Sequence, residues 1–174
     1  MANHIQNVEL TSIGIKKVLN KYTPQRAISE YIWNGYDANA TEVKIEINFE
    51  TTYNSIISVD IEDNGDGIIY EELSVIFKRF YESQKSVAQS IDSRFSRGKN
   101  GYGRFTFFKL CKQAKWFTKY KKEGGLFSYE ITMVSDNLSN YTSTDPQNCT
   151  ELNTGTKVVF GDFSAHFWTE SGLA

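Results

Sequence analysis

The apolar positions change period several times along the chain, and each change predicts an element. Ile13, Ile15, Val18 and Leu19 recur at helical spacing within residues 8–22, which predicts an amphipathic helix. Thr23 followed by Pro24 predicts a second helix start, with threonine as N-cap and proline in the first turn, where its missing N–H costs nothing. That helix runs to about Asn39. The period then drops to two. Val43, Ile45, Ile47 and Phe49 alternate with Lys44, Glu46 and Asn48, which predicts a strand with one buried and one wet face. A turn over 51–55 leads to a second strand through Ile57, Val59 and Ile61, and a hairpin is the simplest pairing.

This strand ends in Glu62-Asp63-Asn64-Gly65-Asp66-Gly67-Ile68, a tight loop whose two glycines imply positive φ or close backbone approach. Glu71, Glu72, Leu73, Ile76 and Phe77 fit a short helix with acids in its first turn. Periodicity fails from Arg79 to Arg97, a length that suggests a functional loop or lid. Gly98-Lys99-Asn100-Gly101-Tyr102-Gly103-Arg104 then leads into Phe105, Phe108 and Leu110, which suit a helix. Strands over 114–120 and 126–134 flank the turn signal Gly124-Gly125. Residues 136–153 are polar and read as part strand, part loop, before a last strand through Thr156, Val158 and Phe160. The segment 164–174 carries no assignment.

In the second helix Glu30, Asn34 and Asp37 share one stripe, because residues three and four apart lie on one face. Ile28, Ile32 and Ala38 predict that part of the same helix is buried. Polar groups beside a buried surface need partners. A metal-bound ligand would supply them, and a solvated face opposite a core face is the plainer alternative.

The 174 residues suit one domain, and 40% hydrophobic with 14% aromatic content is enough to build a core. A charged share of 23% and net charge of −2 argue against a disordered chain and give no overall attraction to nucleic acid or anionic membranes. Cys111 and Cys149 lack metal-ligand spacing and read as free thiols in a reducing compartment. The first residues lack an apolar leader, and no apolar run approaches a bilayer span, so a cytoplasmic protein without membrane contact is expected.

Three glycine-bearing turns accompany the helix: Asp63 to Gly67, Gly98 to Gly103, and Gly155-Thr156. The middle one suits a phosphate, since glycine-rich backbone amides at a helix start favour an anion. Its spacing is neither that of a Walker loop nor that of a dinucleotide fingerprint. Asp60 to Glu71 comes close to a calcium-loop pattern, but Glu62 breaks the third position and a strand precedes it rather than a helix. Lys109, Lys112, Lys115, Lys119, Lys121 and Lys122 interleave with Trp116, Phe117 and Tyr120. Such a run can touch a nucleic-acid backbone, though the wet side of a helix end and strand is the preferred reading. His4 and His166 stand alone and are assigned nothing.

Taken in order, Glu-x-x-x-Asn-x-x-Asp-Ala, Asp-x-Gly-x-Gly, Gly-x-x-Gly-x-Gly and Gly-Thr resemble the boxes of the GHKL ATPase superfamily. That group holds gyrase-type topoisomerases, ninety-kilodalton heat-shock chaperones, histidine kinases, MutL-type repair proteins and MORC ATPases. The resemblance spans about Thr23 to Phe160. Asn34 to Thr41 looks most like the MutL type, and the middle glycine loop more like the chaperone and MORC types.

The resemblance implies an α+β two-layer sandwich, the Bergerat fold. Its sheet is mixed and mostly antiparallel, with helices on one face and an ATP lid, here about 79–104. It also implies ATP and Mg²⁺ as ligands. Glu30 would be the general base, and Asn34 the Mg²⁺ ligand. Asp63 would accept from the adenine amino group, with Thr156 in support, while Gly65, Gly67 and Ile68 pass close to the nucleotide. Asp37 and Ala38 would line the pocket. Gly98, Lys99, Asn100, Gly101, Tyr102 and Gly103 would close on the phosphates, and Lys85 in Ser83-Gln84-Lys85 loosely matches a lid lysine.

Trp33 stands where the MutL type carries a further acid, which bears on water access, and no phosphorylatable histidine box precedes the domain. Chain length past the last strand leaves no room for the transducer domain of hydrolase relatives, so either a small stand-alone ATPase or, preferred, an N-terminal domain of a longer protein is expected, with slow turnover in isolation. The implied function is an ATP-driven conformational switch for a DNA-processing or defence machine, with nucleotide-driven homodimerisation and nucleic-acid contact through the full-length protein. A chaperone-like clamp and a non-hydrolysing nucleotide sensor or scaffold are the alternatives.

Overall fold

The computed structural model describes residues 11–50, 55–78 and 102–163. Helix α1 (Ser12–Leu19) starts at Thr11, whose hydroxyl accepts from the Gly14 amide. Helix α2 (Pro24–Asp37) starts as expected: the Thr23 hydroxyl accepts from the Arg26 amide at 3.2 Å, and Pro24 opens the first turn. It stops two residues earlier than predicted, because Asn39 takes a left-handed φ of 63° that ends the helix. Strands β1 (Val43–Glu50) and β2 (Ser55–Asp63) pair antiparallel, followed by helix α3 (Tyr70–Lys78). Beyond lie β3 (Gln113–Lys122), β4 (Gly125–Val134), the short β5 (Thr142–Ser143) and β6 (Gln147–Asn148), and β7 (Gly155–Gly161). The β3–β4 turn encloses Glu123 and Gly124, both at positive φ, the mirror-image turn whose twist suits a hairpin.

The fold is the expected α+β sandwich. The sheet runs β1-β2-β7-β3-β4-β5, with β6 also on β4, and the described pairings are antiparallel. The last strand in sequence therefore sits in the middle of the sheet, between β2 and β3.

One sheet face is apolar and carries the helices. Trp116 lies 5.5 Å from Phe77 of α3 and 6.2 Å from Phe107, while Tyr31 of α2 meets Phe160 edge-on at 4.8 Å. Burying each such ring contributes about 1.5–3 kcal/mol. The other face is polar and carries ion pairs: Lys157–Asp60 at 2.7 Å, Lys115–Glu130 at 2.9 Å and Lys119–Glu151 at 2.6 Å. The lysine run thus reads as a solvated face, with Trp116 and Tyr120 turned into the core. A cavity of about 840 Å³ opens here, bordered by Lys44, Glu62, Phe117, Lys157 and Glu151 among others.

Two expectations need correction. The apolar side of β1 is not buried: Ile45 is 44%, Ile47 43% and Phe49 53% exposed. β1 is the sheet edge, and α2 reaches it only at the Val43 end. The segment through Phe105 and Phe108 is a 3₁₀ helix, Gly103–Lys109, rather than an α-helix. Two carbonyls that an α-helix would use are taken by side chains: the Thr106 hydroxyl donates to Gly103 O at 2.7 Å, and the Tyr31 hydroxyl to Arg104 O at 2.9 Å. Lys85, Gly98, Lys99, Asn100 and Gly101, most of the expected lid, and the segment 164–174 lie outside the described residues.

Phe160 is fully buried, whereas Phe49 is half exposed at the edge. In urea denaturation, Phe160→Ala is expected to cost about 3–5 kcal/mol and Phe49→Ala less than about 1 kcal/mol. Equal costs would mean that the β1 apolar side is covered in solution.

Candidate functional site

Helix α2 supplies two of the expected polar groups at one place. Its most buried stripe is Ala27, Tyr31 and Gly35, which turns Glu30 and Asn34 to the flank of the core contact. The 3₁₀ helix packs there, held by the Tyr31–Arg104 bond. A side-chain carbon at Gly103 would stand 3.2 Å from Asn34 Nδ2 and 3.3 Å from Glu30 Oε2. Glu30, Asn34 and Gly103 therefore converge, and any larger residue at 103 would fill the space between carboxylate and carboxamide. Tyr102, expected among the residues that close on the phosphates, buries its ring in the core.

The second group forms where β2 leaves the sheet. The β2–β7 register sets Asp63 opposite Thr156, and the β3–β7 register sets Thr118 opposite Thr156. Asp63 Oδ1 accepts from the Gly65 amide at 2.9 Å and the Thr156 amide at 3.3 Å. Asp66 N donates to Ala38 O at 2.8 Å, and Asn64 Oδ1 accepts from the Thr41 and Glu42 amides, so the loop is bound to the end of α2. Ile68 N donates to the Thr118 hydroxyl at 2.8 Å. Gly67 is at φ 75°, and a side chain there would overlap the Lys119 carbonyl oxygen. What this glycine admits so closely is the chain's own backbone.

The calcium-like pattern is absorbed by these contacts. Asp60 pairs with Lys157, Asn64 caps backbone amides, and Asp66 accepts from Asn39 Nδ2 at 2.6 Å. Among the described residues no group of three His, Cys, Asp or Glu is placed to hold a metal. Asn34 suits a different kind of site. An exposed carboxamide oxygen is a hard ligand that serves Mg²⁺ when ligand phosphates and waters fill the remaining positions. Cys111 and Cys149 are free thiols, and burial pushes that of Cys111 up to about 12, leaving it inert.

Burial sets the electrostatics. Glu30 is raised above the usual glutamate range by desolvation, against the lowering effects of Arg26 and of a hydrogen bond from the Tyr22 hydroxyl; Asp37 raises it further. Asp63 is raised by desolvation as well, against its two backbone amide donors. Desolvated carboxylates in one site are where proton transfer and polar recognition are expected.

The sequence model of the histidine kinase-, DNA gyrase B- and HSP90-like ATPases matches residues 22–156, most of the chain. The chain belongs to this family. No curated protein matches it. As a member of the GHKL-like ATPases it is an ATP-binding domain, and the match covers both groups of residues described above. No helix among the described residues is long and apolar enough to cross a membrane.

Three contributors to this ATPase domain escaped sequence reasoning. A side-chain carbon at Gly35 would stand 2.9 Å from Asp63 Cβ, so this glycine lets helix and loop touch. A glycine inside a helix costs about 1 kcal/mol relative to alanine, and that cost was the available signal. Thr118 is a hydroxyl in the inward series Ala114, Trp116, Thr118, Tyr120, which strand alternation alone exposes. Tyr22, buried beneath Glu30, left no signal.

The shifts give signed expectations. Tyr22→Phe removes a donor to the carboxylate and should raise the Glu30 pKa further, whereas Asp37→Asn should lower it. Carboxyl-carbon NMR titration checks both. Glu30 binds its proton more tightly folded than unfolded, so stability falls as pH rises from its ordinary value through its raised value. Glu30→Gln abolishes that loss and should unfold at higher urea concentration than wild type at pH 7, with the gap closing in acid.

Proposed function

We propose that this domain binds ATP with Mg²⁺ and hydrolyses it slowly, as a conformational switch within a larger machine. The observation that carries the reading is the shared use of α2: Glu30 and Asn34 meet Gly103, and Gly35, about one and a half turns beyond Glu30 and next to Asn34, touches Asp63. One helix would thus address both ends of a nucleotide. At the base end, Asp63 Oδ1 is taken by two amides, which leaves Oδ2 to accept from the adenine amino group. Asp37, Ala38, Gly65, Gly67 and Ile68 would line that end, and Thr156 would support the base.

At the other end, Glu30 would take a proton from water as the water oxygen bonds to the γ-phosphorus and the bond to the β-phosphate oxygen breaks. A carboxylate whose pKa is raised by desolvation is a better base than an exposed one. Asn34 would hold Mg²⁺, which neutralises phosphate charge when bound. Gly98 to Gly103 would meet the phosphates, and Lys85 would reach them from the lid. Nucleotide-driven homodimerisation and service to a DNA-processing or defence machine of the MutL or MORC type complete the proposal.

The test is calorimetric ATP binding with Mg²⁺, followed by phosphate release. Asn keeps the oxygen that accepts from Gly65 and Thr156 but turns an amide donor toward the base, so Asp63→Asn should fold and lose binding by more than about tenfold. Glu30→Ala should bind normally and lose turnover by at least about a hundredfold. Binding without hydrolysis in wild type, unchanged by Glu30→Ala, would instead make the domain a nucleotide sensor.

A further inference from the structure

The Thr118 hydroxyl sits where the loop and the last strand meet, and its hydrogen bonds join the two. Thr118 is 1% exposed, and its Oγ1 accepts the Ile68 N–H at 2.8 Å. Two acceptors stand within reach of its own proton: Thr156 Oγ1 at 3.1 Å and Gly155 O at 3.5 Å. Either hydroxyl of the Thr118–Thr156 pair can be the donor, and theirs is the shorter of the two contacts. With Thr118 as donor, the Thr156 oxygen accepts and keeps its own proton uncommitted, while its amide is already held by Asp63.

We propose that Thr118 is a specificity-determining positioning residue: by donating to Thr156 it fixes that hydroxyl as a donor beside the Asp63 acceptor, and so selects an adenine edge. An adenine presents an amino donor next to the N1 acceptor, which matches an acceptor beside a donor. A guanine presents O6 and N1–H in the opposite order, which sets an oxygen against the carboxylate and a donor against a donor. Reversing the hydroxyl chain, with Thr156 donating to Thr118 and Thr118 to Gly155, would remove the donor and with it the preference. The proposal rests on the ATP-binding reading of the same pocket.

Wild type, Thr118→Val, Thr118→Ser and Thr156→Val of the 174-residue chain are to be titrated with ATP, 1-deaza-ATP and GTP. 1-Deaza-ATP keeps the amino group and lacks only the N1 acceptor. Wild type is expected to prefer ATP to 1-deaza-ATP by about three- to tenfold. That preference should fall in Thr118→Val, which frees the Thr156 hydroxyl to rotate, drop below about twofold in Thr156→Val, which removes the donor, and persist in Thr118→Ser, which keeps the hydroxyl. A purely structural Thr118 would weaken both nucleotides equally and leave the ratio unchanged, which overturns the proposal. Thr118→Val leaves the Ile68 amide without its acceptor; should it fail to fold, an undiminished preference in Thr156→Val overturns the proposal equally. Absence of any adenine-nucleotide binding in wild type would sink the ATP reading itself, a result distinct from an unchanged ratio.

Discussion

Two backbone amides on one oxygen of Asp63 tie the loop after β2 to the middle of the sheet. The bond from Gly65 is local, within a tight loop, while that from Thr156 crosses to a strand 93 residues later. A desolvated carboxylate is costly unless charge-assisted donors offset the burial, and here the backbone supplies both. The strand order is what makes the second donor available. With β7 between β2 and β3, Asp63, Thr156 and Thr118 form one row on the helix-bearing face. A sheet that followed sequence order would separate them.

Helix α2 then has to be both a core element and a site wall. Its buried stripe anchors through Tyr31, which meets Phe160 and Trp116 and also binds the Arg104 carbonyl. That one side chain couples helix, sheet and glycine-bearing 3₁₀ turn, so Glu30 and Asn34 are carried on a support fixed at three points. Burial of Glu30 works against stability at neutral pH and in favour of basicity, a conflict expected at a functional site. The aromatic cluster around Trp116 supplies the stability that offsets it.

The two sheet faces divide the work. Among the described residues, Lys115, Lys119 and Lys157 on the outer face each meet an acid. The phosphate and base contacts proposed above lie on the helix-bearing side, with Glu30, Asn34 and Asp63.

The sequence by itself determined the local pieces. Period and caps located α1, α2, β1, β2, the β3–β4 hairpin and β7 to within a few residues, because these depend on neighbours three or four positions away. Four ordered boxes also pointed to the family, since Glu30, Asn34, Asp63 and Thr156 differ in chemistry from their surroundings. Tertiary structure alone decided burial and adjacency. Alternation in β1 looked like a half-buried strand, but an edge position left Ile45 and Ile47 in water. Phe105 and Phe108 looked helical, but side chains of Thr106 and Tyr31 took the carbonyls that an α-helix requires. Thr118 joined the site only through strand order, and Gly35 only through contact with Asp63. Periodicity reports a side chain's direction, whereas burial and hydrogen-bond partners depend on what the rest of the chain places there.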